Sequence, residues 1–131
     1  MIDRRVMVAA LAFAAGLAVL APAFAFDTKP FDAKTFEAAQ TAGKPILVEV
    51  TAPWCPTCKA QKPILAELTQ KAKFKDLVTF EIDFDTQKDL LRKFNVRMQS
   101  TLISYKGARE VSRSTGNTNA SSIEAQLDNS I

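Results

Sequence analysis

The stretch ILVEVTAPWCPTCKAQKPILAEL, residues 46–68, decides how the chain is read. Ile46 to Val50 is an apolar run short enough for a strand buried on both faces. Behind it come Cys55 and Cys58, the only cysteines, spaced C-x-x-C and preceded by Trp54. Two thiols at that spacing can close a structural staple, grip a metal or shuttle electrons. A staple is the poorest fit, because a ring with two intervening residues restricts the unfolded chain little. The pair is built to open and close.

Working outward, a helix is expected from the cysteine motif to about Lys73. Ile64, Leu65 and Leu68 recur at helical spacing, and Pro63 is placed to kink it. Upstream, Phe26 to Pro30 reads as an entry strand or an arm, and Asp32 can cap a helix over Ala33 to Thr41. Gly43-Lys44-Pro45 ends that helix. Downstream, Val78 to Phe84 reads as a second central strand with Phe80, Ile82 and Phe84 on one face, and Gln87 to Phe94 as a short helix. Thr101 to Tyr105 and Arg109 to Ser114 flank a turn at Lys106-Gly107-Ala108. Ser121 or Ser122 can cap a last helix through Leu127. The order predicts an α/β domain: a central mixed sheet with helices on both faces.

The first residues read differently. Arg4 and Arg5 precede an almost wholly apolar run, Val6 to Ala21, and Ala23-Phe24-Ala25 supplies a small-x-small cleavage pattern. The run is short for a membrane anchor of about 20 residues. The expectation is a signal peptide over residues 1–25 and a single domain over 26–131. The paired arginines leave Sec and twin-arginine export both open. The chain carries 17 basic and 14 acidic residues, net +3, with the lysines scattered, so nucleic-acid binding is not expected. Histidine is absent. That excludes Cys/His nucleophilic catalysis and zinc sites with imidazole ligands.

A cysteine attacks as thiolate. With Cys55 at a helix N-terminus, the free N–H groups and the helix dipole favour the anion. Cys55 is therefore the expected nucleophile, reachable by a partner, and Cys58, one turn inward, the resolving thiol. Trp54 either covers the sulfurs or fills core. Glu49, between Val48 and Val50, is costly to bury ionised. It is a candidate acid/base for Cys58, with its pKa raised by desolvation, or else a side chain that snorkels to the sheet edge.

At this point the sequence resembles the thioredoxin family, from about Phe31 to Leu127. Residues 46–68 are similar to the family's strand, W-C-x-x-C, lysine and kinking proline in register, and Glu49 falls at its buried acid. Phe94-Asn95-Val96-Arg97 resembles the approach to the substrate loop, Thr101-Leu102-Ile103 and Lys106-Gly107 the strand and turn beyond, and Gly116 the glycine before the last helix. The resemblance implies a thioredoxin fold with four to five strands. It also implies a redox disulfide Cys55–Cys58, and partner contacts at Trp54, Pro56, Thr57, Gln99 and Ser100. No metal or cofactor is implied.

Two departures stand out. The family's cis-proline before Thr101 is Ser100 here; a cis bond before serine costs about 3–4 kcal/mol, so the Gln99–Ser100 peptide is trans or strained. Glu81 stands near where many thioredoxins keep a lysine beside the acid; pointing inward it raises the Glu49 pKa, and pointing outward it does nothing. The function expected is a monomeric periplasmic thiol–disulfide oxidoreductase acting on exported proteins, with a membrane electron carrier as partner. The dedicated oxidases' histidine between the cysteines is missing, which leans toward a reductant or isomerase. The rivals are a metal or iron–sulfur protein using Cys55 and Cys58, and a non-catalytic binding module.

Overall fold

In a computed structural model, which describes residues 28–131, the chain runs β1 (Lys29–Pro30), α1 (Ala33–Thr41), β2 (Pro45–Thr51), α2 (Pro56–Leu68), a 3-10 turn (Ala72–Phe74), β3 (Val78–Asp83), α3 (Lys88–Lys93), β4 (Thr101–Lys106), β5 (Arg109–Thr115) and α4 (Ala120–Asp128). The expected leader lies outside the described residues. Five strands form one mixed sheet in the order β1-β3-β2-β4-β5. β3 runs parallel to β1 and β2, and β4 runs antiparallel to β2 and β5. This is the thioredoxin fold.

β2 lies at the centre because nearly everything in it can be buried. Successive side chains alternate between faces. Ile46, Val48 and Val50 enter the core shared with Phe36, Phe80, Ile82, Leu91 and Phe94. Leu47 enters the opposite core with Leu65, Leu68, Phe74, Leu102, Ile123 and Leu127. Glu49 shares the face of Leu47 and is pressed against the α2 side of the sheet.

Local chemistry fixes the helix ends. Asp32 caps α1, accepting the Thr35 N–H at 2.9 Å. α2 passes through Pro63 but stops at Leu68, short of the expected Lys73. Lys71 turns extended there, and the 3-10 turn carries Phe74 into the core. The last helix is capped by Asn119, not by Ser121 or Ser122. Its Oδ1 accepts the Ser122 N–H at 2.9 Å, and asparagine offers the backbone a carbonyl in place of a hydroxyl.

Candidate active site

Where β2 ends, the chain turns through Ala52 to Trp54 and enters α2. Cys55 is the N-cap residue: extended in backbone, with its sulfur accepting the Cys58 N–H at 3.1 Å. Pro56 follows at the first helical position, where a missing N–H costs nothing. A disulfide joins Cys55 to Cys58 across a Cα–Cα distance of 5.3 Å. The helix tip is as expected; the accessibility is not. Cys55 is 0% exposed and Cys58 1%, packed with Ala52 against Phe84. The nucleophile expected at the surface lies beneath it while the disulfide is closed.

Trp54 does not fill core. It is 55% exposed, and its indole Nε1 donates to both carboxylate oxygens of Asp85, at 3.1 and 3.0 Å. Its ring meets Phe84 edge-on at 6.5 Å. Pro56 is exposed and Thr57 half-buried beside it.

No peptide is cis among the described residues, so Gln99–Ser100 is trans. The expense falls on φ instead. Ser100 adopts +60°, the left-handed region that a side chain ordinarily avoids. Its N–H donates to Val50 O at 2.8 Å, and its carbonyl accepts from Gly116 N at 3.0 Å and Gln61 Nε2 at 3.2 Å. Ser100 is buried, with its N–H and carbonyl both bonded within the chain; Gln99 beside it is half-buried. Gln61 Nε2 also donates to Asn117 O at 2.9 Å, pinning both loops to α2.

Glu49 is fully buried, and neither carboxylate oxygen has a hydrogen-bond partner. It does not snorkel. Burial pushes its pKa up; Lys62 opposes that, and Glu81 reinforces it. The Lys62 ammonium stands 3.7 Å from Glu49 Oε1 and 3.4 Å from Glu81 Oε2. Glu81 stands opposite Glu49 in the β2–β3 register and, though half-exposed, pushes the acid's pKa up by like-charge repulsion. Lys62, Gln61 and Asp85 escaped the sequence reading. The first two had a legible signal: they stand four and three residues beyond Cys58, on the helix face that Cys58 shares.

A cysteine pair closed at a helix tip, with a buried carboxyl in the central strand before it, on this sheet, defines a thioredoxin-type thiol:disulfide oxidoreductase. Residues 27–129 match the Thioredoxin family. Thioredoxin Asp f 29 of Aspergillus fumigatus is 32% identical over 97 residues, covering 73% of this chain and 87% of its own. A Thioredoxin H-type of Brassica campestris is 33% identical over 91 residues, 70% of this chain and 72% of that one. The crystal structure of Trxlp from Edwardsiella tarda EIB202 superimposes with a TM-score of 0.74 at 42% identity, covering 77% of this chain and 98% of that one. The chain belongs to the thioredoxin family.

Proposed function

We propose that the protein is exported by a leader over residues 1–25 and works as a monomer in the periplasm, reducing or rearranging disulfides of exported proteins. A membrane electron carrier restores its thiols. The observation that carries this reading is the placement of the Cys55 sulfur on the Cys58 N–H at the tip of α2, which favours thiolate when the pair is reduced. The apolar leader with its cleavage pattern supports the location.

In the reducing direction, the Cys55 thiolate attacks one sulfur of a partner disulfide. A Cys55–partner bond forms, the partner's own S–S bond breaks, and the second partner sulfur departs as thiolate. Cys58 gives its proton to Glu49 and attacks the Cys55 sulfur. The Cys55–Cys58 bond closes, and the partner leaves with two thiols and two electrons gained. Because both sulfurs are covered when joined, the return reaction requires the surface over them to open first. Trp54, Pro56, Thr57 and Gln99 supply partner-facing surface around that point.

Trapping tests the proposal. Cys58→Ser is expected to retain exported proteins as mixed disulfides on Cys55, and Cys55→Ser to lose disulfide reduction. Equal activity of wild type and Cys55→Ser would sink it. A reduction potential near thioredoxin's about −270 mV supports a reductant, and one near about −120 mV reverses the direction.

A further inference from the structure

The two flanks of Glu49 are unlike. On β4 its register partner is Leu102, which cannot be charged. On β3 the partner is Glu81. From α2 comes Lys62; Cys58, whose proton the proposed reaction gives to Glu49, lies on the same helix. Lys62 is the cation that reaches the acid, and it reaches Glu81 as well. At 3.7 Å its contact with Glu49 is an ion pair too long for a hydrogen bond, whereas at 3.4 Å it donates to Glu81. The Lys62 side chain is 46% exposed and that of Glu81 37%, while that of Glu49 is 1% exposed. One ammonium therefore spans the boundary between a dry carboxyl and a wet one, from the helix that holds the redox pair.

We propose that Lys62 is a positioning residue for the exchange reaction, its ammonium shared between Glu49 and Glu81 so that the two neighbours act on the buried carboxyl in opposite directions. This rests on the reading of Glu49 as the acid/base for Cys58. Lys62 draws Glu49 toward the anion that accepts the Cys58 proton. Glu81 repels that anion and competes for the ammonium. Any change that tightens the Lys62–Glu81 contact leaves Glu49 protonated and slows resolution; any change that loosens it speeds resolution at neutral pH.

The sign separates this role from a structural one. Lys62→Met is expected to move the Glu49 titration to higher pH, Glu81→Gln to lower pH, and Lys62→Arg to leave it near wild type. The titration is read directly from the carboxyl carbon of 13C-labelled glutamate in the oxidised protein, where no thiol titrates. The pH profile of disulfide reduction by the reduced protein is expected to move in the same directions. Each unit of displacement changes the ionised fraction about tenfold below the midpoint. Midpoints that stay put in Lys62→Met, or that move the same way in Lys62→Met and Glu81→Gln, overturn the inference. If activity dies with Cys55→Ser while these profiles superimpose, the exchange chemistry stands and the role of Lys62 falls. If activity survives Cys55→Ser, the exchange chemistry itself falls.

Discussion

The Trp54 indole is clasped by Asp85: Nε1 lies 3.1 and 3.0 Å from the two carboxylate oxygens. The clasp fixes an exposed aromatic ring in the residue next to Cys55. Phe84 supports the ring edge-on, and the Lys88 ammonium sits 4.4 Å above Phe84 on its own account. Asp85→Ala should free the ring. Because Trp54 is the only tryptophan, its fluorescence anisotropy reports this directly and is expected to fall. Stability should change by no more than about 0.5 kcal/mol, as for other surface changes. Unchanged anisotropy would show that the carboxylate does not restrain the ring.

Glu49 makes folding stability depend on pH with a definite sign. Its pKa is raised in the folded protein, so as pH climbs past the ordinary glutamate value of about 4.3 the unfolded chain releases a proton that the folded chain retains. Stability is complete below that value and declines until the folded carboxyl ionises too. Glu49→Gln removes this slope. Urea midpoints between about pH 4 and pH 9 are expected to be flatter for the variant, which overtakes wild type on the alkaline side. Parallel curves would mean that Glu49 is not desolvated.

Ser100 holds a backbone angle that suits glycine. Left-handed geometry costs a residue with a β-carbon about 1–2 kcal/mol. Replacement by glycine relieves that but loosens the unfolded chain by about 0.5–1 kcal/mol, and it drops the bond from Ser100 Oγ to Gln99 O. Ser100→Gly should therefore fall within about 1 kcal/mol of wild type. Ser100→Val, β-branched and barred from that region, should lose about 2 kcal/mol or more in denaturant titrations. Equal stability of the two variants would contradict the angle.

Gln61 fastens the Ser100 and Asn117 carbonyls to α2 with one amide. Gln61→Leu preserves the bulk and removes both bonds. Hydrogen exchange should quicken at the Ser100 and Gly116 amides, which lie at that junction, and stay slow along β2. The stability loss should be about 1 kcal/mol, moderated because the Gln61 Oε1, itself unpartnered, disappears with the side chain. Unaltered exchange would show that the loops hold without it.

What could be read beforehand was whatever one segment decides alone. Ile46 to Val50 declares a buried strand by its side chains, Asp32 declares a cap, and Cys55 declares a helix tip because Pro56 and the apolar spacing follow it. The burial of Glu49 also followed from its flanks. The misreadings concern meetings between segments. Trp54 turns outward because Asp85, 31 positions away, takes its N–H, and Lys62 matters only because β3 brings Glu81 beside it. The trans peptide at Ser100 agrees with the sequence reading, but its positive φ was not legible, because its N–H is held by Val50 of another segment. Helix ends slipped for the same reason: Phe74, by seeking the core, curtailed α2.

The covered disulfide makes selectivity a matter of rate. A passing small thiol must first displace the surface over Cys55 and Cys58, however favourable the energetics of the exchange. A docking protein that prises the surface apart finds a sulfur at once. The oxidised form is thus expected to meet bystander thiols more slowly than the energetics of exchange alone would set.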